Sequence, residues 1–297
     1  MAPDVCFIVP SYRSRTTIRA TIDSIFGQRT ERQFDVLVVD SSADDTTEWL
    51  KKLHPEVRTL KSETRLFPGA ARNRGVRETA APLLAFLDAD ATLAPDWLES
   101  LLARLAVSPD LSLVGGAVVN ANPESLPSRL LHWIEFSEYL PGLPSGFRAA
   151  LSSSNLLVKR DEFLAKGGFD ESYGMAEDLL LCRKWRQGLF FEGKARIFHR
   201  HRCTWKEVSE HLQALGYWSG RYRASHPTTS GSWLRRIPLA SFGLPFLRAP
   251  RILARLLRSN WKEGAKATLL LPLLLWALFR WTTGFYNGLR VAPQALT

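Results

Sequence analysis

Leu83-Leu84-Ala85-Phe86-Leu87-Asp88-Ala89-Asp90 decides the fold. An unbroken apolar run that ends on a carboxylate predicts a strand buried on both faces, with acid at its carboxyl end. Working outward, Val5-Cys6-Phe7-Ile8-Val9 is a second such run, stopped by Pro10, and Phe34-Asp35-Val36-Leu37-Val38-Val39-Asp40 is a third that again ends on acid. Helical spacing fills the gaps. Ile18, Ile22, Ile25 and Phe26 follow Thr16, a helix starts at Thr46 after the polar turn from Ser41 to Asp45, and another runs from Gly69 to Glu78. Val57 to Lys61 reads as a short strand. This alternation predicts an α/β fold, a mostly parallel sheet with helices on both faces. In such sheets ligands sit outside the carboxyl ends of the strands, where Asp40 and Asp88 fall.

Further along, Leu113 to Asn120, Asn155 to Val158 and Ala195 to His199 read as strands, and Arg160 to Ala165 and Met175 to Gln187 as helices. Residues 121–150 are rich in Pro and Gly but carry Trp133, Phe136, Tyr139 and Phe147, which predicts a loop or short-helix segment. The 297 residues are 45% apolar and 23% charged, which excludes a disordered polymer or a collagen-like repeat. Cys6, Cys182 and Cys203 are too scattered for a disulfide framework and form no C-x-x-C pair, which favours a reducing compartment. Residues 1–4 lack a basic region and Val5 to Val9 is short, so no signal peptide is expected.

The net charge of +10 is uneven. Residues 1–232 are nearly neutral, whereas residues 233–297 hold ten basic residues and one acid, Glu263. We therefore expect a globular domain over 1–232 and a basic helical extension over 233–297. Arg248, Arg251, Arg255, Arg258 and Lys262 alternate with Ile252, Leu253, Leu256, Leu257 and Trp261, the pattern of an amphipathic basic helix. Ala267 to Phe279 is uncharged and contains Pro272, and Trp281 to Leu289 is uncharged beyond Arg280. Three readings stay open: the tail lies in an anionic membrane interface, it dips into or spans the bilayer, or it packs as a helical appendage. The membrane readings place the chain at the cytoplasmic side of the cell membrane. Aromatics set in long aliphatic runs do not suit a nucleic-acid groove, so no nucleic-acid partner is expected.

Four stretches carry candidate chemistry. Asp88-Ala89-Asp90 sets two carboxylates at a strand end, able to share a hard divalent cation. In Gly69-Ala70-Ala71-Arg72-Asn73-Arg74-Gly75, small residues permit close backbone approach and the arginines can reach a phosphate or a carboxylate. Gly167-Gly168-Phe169-Asp170-Glu171 precedes Glu177-Asp178, acids that by position alone also suit the first turn of a helix. His199 and His201 lie in an arginine-rich segment and could serve a metal or a phosphate.

Together with Ile8-Val9-Pro10-Ser11-Tyr12 and Val38-Val39-Asp40-Ser41-Ser42-Ala43-Asp44-Asp45-Thr46, the first three of these stretches resemble, in order and spacing, family 2 glycosyltransferases of the GT-A fold, from about residue 4 to 205. The resemblance implies an inverting enzyme that moves a sugar from a nucleotide-diphosphate donor to a hydroxyl on a glycan or lipid-linked acceptor, in cell-envelope or exopolysaccharide synthesis. It implies that Pro10, Ser11 and Tyr12 line the nucleotide pocket, that Asp40 bonds the base, and that Arg72 lies near the base or phosphates. Asp88 would contact the ribose or support the metal, and Asp90, with His199, would hold Mg²⁺ or Mn²⁺. Asp178 would be the general base, supported by Glu177. Where the family often has Asp-Asp-Gly-Ser, this chain has Asp40-Ser41-Ser42-Ala43, with Asp44 and Asp45 the nearby acids able to compensate. The rival reading is a non-catalytic nucleotide-sugar or glycan-binding protein on the same fold.

Overall fold

The computed structural model describes residues 3–185 and 188–291. β1 (Val5–Ser11), α1 (Ile18–Phe26), β2 (Phe34–Asp40), α2 (Thr46–Leu53), β3 (Arg58–Lys61) and α3 (Pro68–Arg77) form the expected alternation. β4 (Leu83–Leu87) and β5 (Ala91–Leu93) flank the Asp88–Asp90 turn, and α4 (Trp97–Val107) and β6 (Leu113–Asn120) follow. Next come α5 (Leu126–Phe136), β7 (Gly146–Phe147), β8 (Asn155–Lys159), α6 (Arg160–Ala165), α7 (Glu177–Arg183) and β9 (Leu189–His199). The chain continues through α8 (Trp205–Ser225), 3₁₀ turns at Ser232–Arg235 and Pro238–Gly243, α9 (Leu244–Ser259), α10 (Trp261–Leu269) and α11 (Leu271–Arg290).

Contacts divide the chain into two compact units, residues 1–119 with 144–199 and residues 120–143 with 200–297. The first holds the sheet, in the order β3-β2-β1-β4-β8-β6-β9-β5, with β7 beside β9. β1 pairs in parallel with β2 and β4, and β2 with β3, as the buried apolar runs require. Antiparallel pairs follow. β8 runs antiparallel to β4 and β6, and β5 and β7 antiparallel to β9, so these strands need no crossover helix. The sheet is thus mixed, with β1, β2, β3 and β4 running in parallel. The helix expected from Met175 starts at Glu177 and ends at Arg183; residues 186 and 187 lie outside the described residues.

The second unit is helical. Its core gathers Trp133 and Leu131 of α5, Leu212 of α8, Ile252 and Leu256 of α9, and Leu274, Leu278 and Phe285 of α11. The aromatic segment 121–150 therefore supplies a helix, whose Ser125 cap accepts from the Ser128 N–H. α8 and α11 touch backbone to backbone. A Cβ on Gly216 would lie 1.9 Å from the Trp281 carbonyl, and one on Gly284 would lie 1.9 Å from that of Gln213. Gly220 and Gly288 repeat the contact one turn later, so each helix presents a GxxxG face. This contact explains why the boundary expected at 232 falls inside the unit: α8, before it, packs along α11, after it.

The tail resolves into separate helices. The basic amphipathic stretch is α9, which ends at Asn260, and the apolar stretch is mainly α11, whose inner side is in the core. Among the described residues no single helix is long and apolar enough to cross a membrane; α10 and α11 pass that test only together and are bent by 80°.

Candidate active site

The carboxyl ends of β1, β2 and β4 form the floor of the site. Register pairs Ser11 with Asp40. Asp40 is fully buried. Its Oδ1 accepts from the Ser11 hydroxyl at 2.9 Å and the Ser42 hydroxyl at 2.6 Å, and its Oδ2 accepts from the Thr47 hydroxyl at 2.7 Å. A buried carboxylate needs such donors, and here the protein supplies them. Ser42 in turn accepts from the Arg13 N–H at 2.7 Å, holding Arg13 at φ +53°. Asp40 therefore welds the β1 and β2 loops together. The Tyr12 ring lies under the Arg65 guanidinium, 4.4 Å from its centroid, and Arg65 also approaches Phe67.

Arg72 is the hub. It projects from α3, whose glycines permit close seating: a Cβ on Gly75 would meet Ile8 Cγ2 at 2.6 Å, and one on Gly69 would meet Phe169 and Glu177 within 3.3 Å. The Arg72 guanidinium is buried. Its Nη1 donates to Glu177 Oε1 at 2.9 Å, its Nη2 donates to Asp88, and it faces the Phe169 ring at 5.5 Å. A forked guanidinium suits this double bond; a single ammonium does not. Ser153, just before β8, donates to the same Glu177 oxygen at 3.0 Å. Glu177 and Asp178 thus open α7 beneath a fixed cation, after Ala176 in the left-handed region at φ +66°. That backbone is strained for a residue with a side chain, and strain of this kind gathers at functional sites.

Asp178 has no such cation bond. Burial, and then the Glu177 carboxylate beside it, push its pKa up to about 7, against the Leu179 N–H and Arg72, which lower it. Burial also acts to raise Asp88, but Arg72 and His199 outweigh it and hold Asp88 below the usual carboxylate range. The two acids are driven apart, the pattern expected where one is to accept a proton and the other to stay ionised.

His199 arrives from the far end of the chain because β5 and β9 pair, with Ala91 opposite His199. Its Nε2 lies 3.4 Å from Asp90 Oδ1 and 3.8 Å from Asp88 Oδ2. One ligand atom from each of Asp88, Asp90 and His199 falls within 4.8 Å of the others. Two carboxylate oxygens and an imidazole nitrogen make a donor set that fits a divalent cation.

A model of glycosyl transferase family 2 matches residues 6–155. The chain belongs to this family. A pre-mycofactocin glycosyltransferase of Mycobacterium tuberculosis is 28% identical to the family 2 chain over 216 residues, covering 69% of this chain and 44% of that protein. A succinoglycan biosynthesis protein of Rhizobium meliloti is 31% identical over 194 residues, covering 60% and 54%. The chain spans about half the length of these curated relatives. A mannosyltransferase from Pyrobaculum calidifontis, solved with GDP-Man and Mn²⁺, superposes with a TM-score of 0.61 at 19% identity over 97% of this chain and 85% of that one. TarS of S. aureus, solved with UDP, gives 0.54 at 15% identity over 96% and 89%. The fold is the GT-A fold of these neighbours.

Of the residues singled out in the sequence, the first unit brings Arg72, Asp88, Asp90, Glu177, Asp178 and His199 into one group. Ser11 and Asp40 sit on its floor, and half-buried Pro10 and Tyr12 lie at the end of β1. Three acids named in the sequence are engaged by neighbouring groups of the protein. Asp40 accepts from three hydroxyls and braces the β1 and β2 loops. Asp44 accepts from the Thr46 N–H and hydroxyl, and Asp45 pairs with Arg15. Asn73 and Ser153 carried no assigned role in the sequence. Asn73 accepts from the Phe169 N–H and donates to its carbonyl, both at 2.9 Å, pinning the Gly-Gly-Phe loop to α3.

Proposed function

We propose that this chain is an inverting glycosyltransferase that uses a nucleotide-diphosphate sugar, a divalent cation and Asp178 as general base. The observation that carries the reading is the Arg72 fork, which ties Asp88, at the metal-competent turn, to Glu177, beside the base. Asp88, Asp90 and His199 would hold the cation, and the imidazole favours Mn²⁺ over the harder Mg²⁺. A cation bound there supplies Lewis-acid stabilisation of the charge that grows on the departing diphosphate.

The chain's own residues do the rest. Ser11 and the Tyr12–Arg65 pair line the nucleotide side of the cleft. Arg72 keeps Asp88 ionised and orients α7. The Asp178 carboxylate takes the acceptor hydroxyl proton as the acceptor oxygen bonds to the anomeric carbon and the carbon–oxygen bond to the diphosphate breaks. One displacement inverts the anomeric centre and needs no enzyme nucleophile. The neighbours solved with GDP-Man and with UDP support the donor class, and the succinoglycan protein supports extracellular polysaccharide as the product class.

The test is turnover of UDP-, GDP- and dTDP-sugars with Mn²⁺, with water as surrogate acceptor. Proton NMR of the first-formed sugar is expected to show the anomer opposite to the donor's, and retention overturns the inverting reading. Because the base must be ionised, kcat/KM is expected to rise as pH increases through about 7. Tight donor binding without turnover by any of these sugars, Mn²⁺ present, favours the non-catalytic rival.

A further inference from the structure

We propose that the 3₁₀ turns, α9 and α10 of the second unit form a surface that docks on an anionic lipid bilayer without crossing it. Seventeen large apolar side chains are exposed among the described residues, and ten of them fall between Trp233 and Trp276. Leu239, Trp261 and Leu269 are 69%, 68% and 83% exposed. Soluble helices ordinarily turn polar residues outward. α9 adds apolar ones: Ala249, Ile252 and Leu256 fill its inner face, while Phe246, Leu247 and Leu257 remain on the outside. A concentration of exposed apolar side chains marks a site of interaction.

Charge selects the occupant. Arg251 and Arg258 share the outer face of α9 with Leu247, at helical spacing, and Lys262 follows Trp261. From residue 211 to 291 the only acid is Glu263, and it is engaged by Arg129 and Lys266. Arg255 pairs with Glu138, whereas Arg236, Arg251 and Arg258 form no ion pair among the described residues. Aromatic and aliphatic side chains among uncompensated cations complement the headgroup and upper acyl region of an anionic leaflet.

The same packing argues against a span. The inner side of α11 is committed to α8 through the glycine contact and to the core through Leu274, Leu278 and Phe285, and α10 meets α11 at 80°. Lipid is left the outer face of the 3₁₀ turns, α9 and α10, with Trp276 at the outside of α11. A transferase held in this way would meet lipid-linked acceptors by diffusion along the membrane. The proposal is independent of the catalytic reading, since neither its residues nor its test involves turnover.

The test is sedimentation of the full chain with phosphatidylcholine vesicles, with and without phosphatidylglycerol. Binding is expected only with phosphatidylglycerol and is expected to weaken as salt rises. Arg251→Gln with Arg258→Gln is expected to weaken it about 30-fold, from the usual worth of each basic residue near such a surface. Leu247→Ser with Trp261→Ser is expected to weaken it at least about tenfold, while Val107→Ser, an exposed apolar site in the other unit, leaves it unchanged. All these side chains are exposed, so circular dichroism and melting of the variants should match the parent. Equal sedimentation with both vesicle types, or undiminished binding by both double variants, overturns the proposal. So does a dimer, seen by sedimentation velocity, that Leu247→Ser with Trp261→Ser dissolves while the parent binds no vesicles.

Discussion

Asp178→Asn is expected to lower kcat by about 10²–10⁴-fold while making the protein more stable. Both effects have one cause. Burial and the Glu177 carboxylate raise the Asp178 pKa to about 7. An acid with a raised folded-state pKa holds its proton where the unfolded chain has lost it. Stability therefore falls as pH rises from about 4 to about 7, and the ionised form remains a net cost above that. Asparagine removes the full cost at pH 8 and a smaller part of it at pH 5, where only the unfolded chain is ionised. With allowance for partial solvent access the gain is on the order of 1 kcal/mol, or about 2–4 °C in melting temperature. Melting at both pH values, beside donor turnover, checks this. A variant that loses activity and also melts lower at pH 8 would make Asp178 a structural residue.

Arg72→Met is expected to cost about 3–5 kcal/mol of folding stability and to abolish turnover. Arg72 is 1% exposed, and methionine fills similar space without the charge. Asp88 and Glu177 are then left facing each other near a third acid, Asp178, with no cation among them. Removing one member of a buried pair strands the other, and that stranded charge is the main loss. Arg72→Lys is expected to fail as well, because one ammonium cannot fork to two carboxylates held by different elements. Urea unfolding measures the effect. The double variant Arg72→Met, Glu177→Gln is expected to recover part of the stability while remaining inactive. A single variant as stable as the parent would show that Arg72 does not organise the site.

These effects involve residues that the sequence places far apart, and that distance governs what could be read. Asp88 and Asp90 were legible because they end an apolar run, and strand ends are where α/β sheets bind ligands. Glu177 and Asp178 were legible by family resemblance, yet their position equally suits acids at a helix start; the Arg72 bond to Glu177 is a partner that the sequence does not announce. His199 meets Asp90 through the β5–β9 pairing, and nothing local in the sequence announces which strand lies beside which. The resemblance reads Asp40 as a ligand for the nucleobase. Its burial under Ser11, Ser42 and Thr47 depends on the parallel register, which a strand pattern alone does not reveal.

In the tail, charge and apolar runs were legible but their partners were not. Ala267 to Leu289 is apolar enough to invite a membrane reading, and the core of the second unit takes its inner side. Two signals lay in plain view. Thr204 and Glu207 form the capping box that opens α8, and Gly216-x-x-x-Gly220 with Gly284-x-x-x-Gly288 marks two helices able to touch.

The most direct test of the shared site is Mn²⁺ binding followed by electron paramagnetic resonance, in which bound ion leaves the free-ion spectrum, titrated with UDP or GDP present. The parent and Asp178→Asn are expected to bind alike, and Asp90→Asn and His199→Ala to bind at least about tenfold more weakly. Full binding by Asp90→Asn and His199→Ala together would contradict the account, because the turn after β4 would then not be where the cation and diphosphate are held.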